Sequence, residues 1–335
     1  MSKLIIPPGY KSKLNLYETQ TAIGQLKRIF EDNLSQALNL KRVSAPLFVE
    51  AGSGLNDDLD GIQRPVGFDI KETGREAQIV QSLAKWKRLA LYRYGFPVGE
   101  GIYTDMNAIR RDDEIDNIHS VYVDQWDWEK VIDQNSRSEA YLKQTVNAII
   151  NAICITAEKI KSQFPAIDVK LNPQVKYITA QELEEMYPAM DDRQREYAMT
   201  KEYGTVFLMQ IGHALKSGQP HGHRAPDYDD WTLNGDILFW NDVLGEAIEL
   251  SSMAIRVTPQ VLDNQLSISG CDYRRGLSYH KMLLSGSLPL TIGGGIGQSR
   301  LSMLLLQKAH IGEVQAGVWD DETLAGMRAA GVELL

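Results

Sequence analysis

Three stretches of the chain combine residue types that could handle a charged substrate. Glu249, Ser252 and Arg256, at offsets of three and seven, put an acid, a hydroxyl and a cation on one extended segment. A carboxylate and a hydroxyl are hard oxygen ligands of the kind Mg²⁺ accepts beside nucleotide phosphates. Strict alternation would turn Glu249 and Ser252 to opposite faces, so a shared site demands a bulge or twist between them. A solvated strand face is the competing reading. Further on, Gly293, Gly294, Gly295 and Gly297 precede Gln298, Ser299 and Arg300, which sets bare backbone at a helix start with a guanidinium in its first turn. Glycine permits close approach, and amides and arginine attract an anion, so the pattern suits a nucleotide phosphate or ring. A purely structural Gly-rich turn would look the same. No Gly-Lys-Ser/Thr follows, so this is not a Walker loop. The third stretch runs from Arg110, Arg111, Asp112, Asp113 and Glu114 into an extended segment holding Asp124, Gln125 and Asp127, whose polar side chains need partners or a ligand.

Other chemistry is weaker. Gln81 and Ser82 lead into a basic helix in which Lys85 and Lys87 cannot both face one ligand. His221 and His223 lack a nearby third metal ligand, which favours a plain loop. Trp126, Trp128 and Trp231 read as packing residues.

The elements that must hold these groups follow from periodicity. Ile23, Leu26, Phe30, Leu34 and Leu38 recur at helical spacing over residues 17–40. Pro46 cannot donate to a ladder, which marks residues 43–49 as an edge or interface strand. Residues 52–61 form an acidic Gly-rich loop, and residues 66–70 and 77–81 flank a turn at Glu72-Thr73-Gly74-Arg75, predicting a hairpin. Ser82 is placed to cap a helix ending at Gly95. Residues 118–128 alternate as a strand. A long helix spans residues 138–164 before Pro165, Thr179 and Glu182 have capping-box spacing, and Asp191 starts a helix that ends before Gly204. Residues 205–211 read as a buried strand, and residues 213–231 as a long loop of the functional or mobile kind. Extended segments at 236–240 and 248–257 and a strand-to-helix unit over 291–306 complete the chain. With no repeat and no low-complexity linker, one domain over residues 1–335 is the simplest organisation.

Composition narrows the function. Thirty-five Lys and Arg against 44 Asp and Glu leave a net charge of −9 over 335 residues, which argues against a dedicated nucleic-acid binder. Two cysteines, Cys154 and Cys271, give neither a disulfide framework nor a cysteine zinc site and fit a reducing cytoplasm. No stretch matches a signal peptide or approaches the ~20 apolar residues of a membrane span.

Arg110 and Asp113, followed by a loop and a strand with Asp124, resemble the second signature of class II aminoacyl-tRNA synthetases. Residues 295–305, from Gly295-Ile296-Gly297-Gln298-Ser299-Arg300 onward, resemble the third, and Arg42-Val43-Ser44-Ala45-Pro46-Leu47 resembles the first, dimer-forming one. Gln81-Ser82 with Lys87, and the Glu249, Ser252, Arg256 spacing, resemble the aspartate-specific subgroup. Only about 40 residues precede the first signature, too few for the anticodon-binding OB fold of those enzymes. Over essentially its whole length the chain resembles the ammonia-dependent asparagine synthetase A (aspartate-ammonia ligase) family. That likeness rests on His119-Ser120-Val121-Tyr122-Val123-Asp124-Gln125-Trp126-Asp127-Trp128-Glu129, on Arg224-Ala225-Pro226-Asp227-Tyr228-Asp229-Asp230-Trp231 and on Leu233-Asn234-Gly235-Asp236-Ile237-Leu238. Two departures stand out: Asp113 replaces the glutamate of the class pattern, which can shift an adenine-side contact to Glu114, and the linker between Trp231 and Leu233 is very short.

The resemblance implies an α+β, class II synthetase-like catalytic domain, mainly an antiparallel sheet flanked by helices, in a cytoplasmic homodimer. It implies ATP-dependent amidation of L-aspartate with ammonia through β-aspartyl-AMP, with Mg²⁺ and without tRNA. In that scheme Arg110 meets the α-phosphate, Arg300 the distal phosphates or the adenine face, and Glu249 with Asp236 holds Mg²⁺, aided by Ser252. Asp113, Ile118, Val123, Gly295 and Gly297 line the ATP site. Lys87 and Arg256 bind the aspartate carboxylates, while Ser82, Gln125 and Asp127 orient the amino acid. Asp57 or Asp229 handles ammonium. A truncated aspartyl- or asparaginyl-tRNA synthetase relative and a catalytically silent sensor of aspartate or adenylate are the alternatives.

Overall fold

Eleven strands carry the molecule among the residues described, 4–59 and 63–335, in this computed structural model. Met1, Ser2 and Lys3 of the N-terminus and Asp60 and Gly61 of the acidic loop lie outside them. The strands are Leu40–Arg42 (β1), Phe48–Glu50 (β2), Gly67–Ile70 (β3), Arg75–Ile79 (β4), Gly101–Ile109 (β5), Tyr122–Val131 (β6), Lys176–Thr179 (β7), Thr205–Met209 (β8), Asp229–Asn241 (β9), Glu246–Arg256 (β10) and Thr291–Gly297 (β11). Eight form one sheet in the order β1-β5-β6-β11-β10-β9-β8-β7, and β2-β4-β3 form a small second sheet. Only the outer pairs β1–β5 and β7–β8 are parallel; every pair between them is antiparallel.

The helices are Leu16–Leu38 (α1), Ala84–Tyr94 (α2), Glu139–Gln163 (α3), Ala180–Met186 (α4), Asp192–Tyr203 (α5), Pro259–Ile268 (α6), Ser278–Leu284 (α7), Gln298–Leu305 (α8) and Asp321–Ala329 (α9). Helix α1 buries the stripe read from its periodicity, Ile23, Leu26, Phe30, Leu34 and Leu38, and opens with an Asn15/Glu18 capping box. It packs with α3 over the large sheet, whose Trp126, Trp128, Phe207 and Phe239 enter the same core. Strand β6 shows why this positions a site. Trp126 stacks on Phe30 at 4.6 Å and donates its Nε1 hydrogen to Glu31 at 2.9 Å on the α1 side. The alternate residues Asp127 and Glu129 point to the other face, where Lys87 of α2 lies.

Three expectations shift. The segment with Pro46 is not a strand: β1 stops at Arg42, Val43 donates once more to Tyr103 O at 2.9 Å, and the chain then crosses to β2. Proline removes a ladder donor at the crossing. The N-cap of α2 is Leu83 without a side-chain cap, because Gln81 is tied back to the 52–59 loop; Ser82 Oγ still accepts from Ala84 N at 3.1 Å. Strand β6 starts at Tyr122 rather than at Ile118, since Asp116 Oδ1 accepts the Ile118 and His119 amides and holds a turn there.

Candidate active site

A cavity of about 540 Å³ opens over β6, β10 and β11. Its floor comes from strand residues, and its walls from α2, the 110–120 turn and the loops at 52–59 and 223–229.

Glycine makes the floor possible. In β11, a Cβ on Gly293 would overlap the Glu129 carboxylate and one on Gly295 would overlap the Gln125 amide oxygen, so both side chains from β6 lie across bare backbone. On this floor the charges are chained. Lys87 Nζ pairs with Asp127, donates to Trp128 O and Gly294 O at 3.0 Å each, and lies 3.8 Å from Glu129. Arg256 contacts Glu129 through Nη2 at 2.7 Å and Nε at 3.0 Å, and its Nη1 pairs with Asp229. Burial works to raise the Glu129 pKa, but Arg256, Lys87 and Thr291 outweigh it and hold the carboxyl below its usual range. Burial lowers the Lys87 pKa against the pull of Asp127 and Glu129.

The bulge demanded by Glu249 and Ser252 is present. Glu249 pairs with Leu238, Ser251 with Ile237 and Ser252 with Asp236, so Leu250 is the extra residue. Leu238 and Asp236 share a face of β9, and Glu249, Ser252 and Asp236 therefore share one too. Between them sits Arg224, which pairs with Ser252 Oγ, reaches Asp236 Oδ1 at 2.6 Å and lies 3.7 Å from Asp229. Burial and Asp236 raise the Glu249 pKa against the pull of Arg300 and Arg224.

Arg110 and Arg300 both line the cavity with donors to spare. Arg110 makes a long 3.4 Å contact to Gln81 O and its buried Nε has no partner. Arg300, in the first turn of α8, uses Nε on Ile118 O at 3.2 Å and Nη1 on Glu249 O at 3.0 Å.

The loop wall carries Asp57, 3 % exposed, which accepts from Tyr228 OH at 2.8 Å and from Leu59 N at 3.0 Å. Burial raises its pKa more than the nearby Lys85 lowers it. Asp229 is also raised by burial, against Arg256 and Arg224.

The fold thus brings Asp57, Ser82, Lys87, Arg110, Asp113, Ile118, Val123, Gln125, Asp127, Asp229, Glu249, Ser252, Gly295, Gly297, Arg256 and Arg300 to one cavity wall. Asp236 is off that wall, behind Arg224. Lys87, expected to meet a substrate carboxylate, has its three ammonium hydrogens engaged by protein oxygens, so it acts on the cavity through its charge and by fixing Asp127. His221 is buried on Glu196 at 2.9 Å, and among the described residues no three His, Cys, Asp or Glu side chains are grouped as a metal ion would need. Sequence reasoning gave no role to Arg224, Glu129 or Asp227. The partners of Glu129 and Asp227 are far off in sequence, so nothing local signalled their burial, whereas Arg224 meets Asp229 and Asp236 close by in the chain.

Comparison with known proteins gives the family. A family model described as aspartate-ammonia ligase matches residues 17–331. A relative from Clostridium perfringens named aspartate--ammonia ligase is 56% identical over 336 residues, covering 100% of each chain. One of the same name from Fusobacterium nucleatum is 55% identical over 327 residues, 98% of this chain and 100% of its own. The crystal structure of asparaginyl-tRNA synthetase from Pyrococcus horikoshii complexed with asparaginyl-adenylate superposes with a TM-score of 0.66 at 16% identity, over 90% of this chain and 70% of that one. At that identity the likeness concerns the fold, which is that of the class II synthetase catalytic domain. Matched by the family model almost from end to end, and sharing more than half its residues with full-length relatives, the chain belongs to the aspartate-ammonia ligase family.

Proposed function

We propose that this protein makes L-asparagine by joining ammonia to the side-chain carboxyl of L-aspartate, using ATP and passing through β-aspartyl-AMP. One observation carries the reading: a single cavity joins a charge-paired pocket, Lys87, Asp127, Arg256 and Asp229, anchored from beneath by Glu129, to two arginines, Arg110 and Arg300, with unspent donors. The first set suits a zwitterion with two carboxylates, the second a polyphosphate.

Aspartate's β-carboxylate is a poor electrophile. Its oxygen attacks the α-phosphorus of ATP, diphosphate leaves, and charge grows on the α-phosphate oxygens. Preorganised donors there contribute most to the rate, and Arg110, lining the cavity with an unpartnered Nε, is the candidate for it. Arg300 neutralises the distal phosphates or lies on the adenine face, with Asp113, Ile118, Val123, Gly295 and Gly297 completing the nucleotide site. Arg256 and the Lys87–Asp127 pair read the amino acid, oriented by Ser82 and Gln125. Asp236 and Ser252 are held by the Arg224 guanidinium, so of the expected donors Glu249 is the carboxylate facing the cavity that would hold Mg²⁺ beside nucleotide phosphates. Bound there, Mg²⁺ supplies neutralisation of phosphate charge.

In the second half-reaction ammonium gives one proton to a carboxylate. The freed lone pair attacks the β-carbonyl carbon, the C–O bond to AMP breaks with its electrons on the phosphate oxygen, and the nitrogen sheds one more proton to become the amide. Asp57 fits this step better than Asp229. Burial raises the pKa of both, but Asp229 is taken up by Arg256, whereas Asp57 accepts hydrogen bonds only from neutral groups among the described residues. The homodimer, the cytoplasmic setting and the single-domain organisation belong to the same proposal; no described helix is long and apolar enough to cross a membrane.

The test is incubation with L-aspartate, ammonium and Mg-ATP without tRNA. Equimolar asparagine and AMP are expected; ADP would mean acyl-phosphate chemistry, and turnover only with tRNA would mean aminoacylation. Asp57→Ala should slow amide formation while leaving aspartate-dependent diphosphate–ATP exchange near wild type; equal loss of both refutes its role.

A further inference from the structure

Behind the Asp57 loop lies a buried charged cluster that this chemistry leaves unused. Asp227 is fully buried, and its Oδ2 accepts from Lys85 Nζ at 3.1 Å and Arg274 Nη1 at 2.9 Å and bonds His280 Nε2 at 2.9 Å. Its partners come from α2, from the short helical turn 272–276 and from α7. Each contributing segment also grips the 52–59 loop. Arg274 pairs through Nη2 with Asp58, the neighbour of Asp57. Tyr228, next to Asp227, donates to Asp57 Oδ2 at 2.8 Å. Gln81, just ahead of α2, donates to the Asp57 carbonyl at 2.7 Å. Gly54 sits against α7 so closely that a Cβ would come within 2.9 Å of Leu277 Cβ and 3.1 Å of His280 Nδ1.

Such a cluster does not pay in stability, since buried ion pairs seldom outdo apolar packing of the same volume. What it specifies is a position. We propose that Asp227, with Lys85, Arg274 and His280, is a positioning cluster that fixes the Asp57 carboxylate over the cavity for ammonium capture, and that it serves the second half-reaction only. Asp227 touches no substrate; it acts through the loop. The inference rests on the ligase reading above and on the assignment of ammonium to Asp57. Lys87 is held by Asp127 and Arg256 is forked onto Glu129, so the floor keeps these anchors when the cluster loosens, Asp229 being the contact the two share.

The test compares two nitrogen nucleophiles. Ammonium must be captured as a cation and deprotonated, while hydroxylamine attacks as a neutral molecule and gives a hydroxamate. In Asp227→Asn the KM for ammonium should rise about tenfold or more, because small misplacement of a catalytic group costs rates of that order. Diphosphate–ATP exchange with aspartate should stay within about threefold of wild type, and hydroxamate formation should be spared likewise. Arg274→Gln, which releases Asp58 with less disturbance of the interior, should raise the ammonium KM by a smaller factor and decides the matter if Asp227→Asn fails to fold. Exchange falling in step with amide formation, hydroxylamine impaired as badly as ammonium, or an unmoved ammonium KM each overturns the proposal. A wild-type protein that makes no asparagine and AMP defeats the ligase reading itself, so the two failures are distinguishable.

Discussion

Two buried carboxylates, Glu129 beneath the cavity floor and Asp57 in its loop wall, are handled in opposite ways. Beneath the floor, Glu129 of β6 is fully buried, yet Arg256 and Lys87 overcome that burial and keep its pKa low. On the wall, Asp57 meets a phenol and an amide, and burial wins. A carboxylate locked in its charged form fixes the cations around it; one whose pKa is raised takes a proton more readily. The floor should therefore matter to both half-reactions and the wall to one.

The harshest way to break this contrast is Lys87→Met. It strips Asp127 and Glu129 of a cation and leaves the Trp128 and Gly294 carbonyls without a donor. Breaking a buried pair from one side costs about 3–5 kcal/mol. Diphosphate exchange and amide formation should both fall below about 1% of wild type, and the thermal midpoint should drop. Exchange near wild type would mean that the floor is not shared by the two steps.

A gentler change on the floor is Gly295→Ala. The new methyl runs into the Gln125 amide, the mobile end of a side chain, and stands 3.4 Å from Asp127 Oδ1. Gln125 should give way before the backbone does. The aspartate KM is expected to rise about tenfold in both half-reactions with little loss of stability, a readout of orientation and not of folding. A collapse in thermal midpoint with KM unchanged would show that Gln125 is a packing residue.

The same contrast explains what could be read in advance. Strand β6 betrayed its role because tryptophans and acids alternate, and period two assigns each to a face. The bulge at Leu250 followed from asking Glu249 and Ser252 to share a site. The wall was harder. The 52–59 and 213–231 segments have the glycine, proline and aspartate content of solvated loops, yet Asp57, Asp227 and Asp229 are buried in them. Their burial depends on Arg274, Lys85, Tyr228 and Arg256, brought in from elsewhere by tertiary contacts that no local pattern encodes. Ser82 and Pro46 misled in a smaller way, since a preferred cap and a presumed edge strand both yielded to what their neighbours were bonded to.

The smallest effect is also the most pointed, because it sets stability against activity at one atom pair. The Asp57 pKa is raised above its ordinary value of 3.8, so the folded chain holds that proton more tightly than the unfolded chain does. Stability from this group is then full at pH below the unfolded value and declines as pH rises through the folded one; at neutral pH the ionised carboxylate is a liability. Asp57→Asn removes it with the shape retained. The amide oxygen can still accept from Leu59 N, and the Tyr228 hydroxyl can rotate to accept from the new amino group. At pH 7–8 the variant should melt about 1–3 °C higher than wild type while making asparagine from ammonium far more slowly, and the thermal gain should vanish below about pH 4. Glu129→Gln should show the reverse sign, losing stability at neutral pH, because its charge is the stabilised form. Thermal scans of both variants across pH would measure the difference directly, and a loss of stability at neutral pH in Asp57→Asn would mean that the wall satisfies its carboxylate as fully as the floor does.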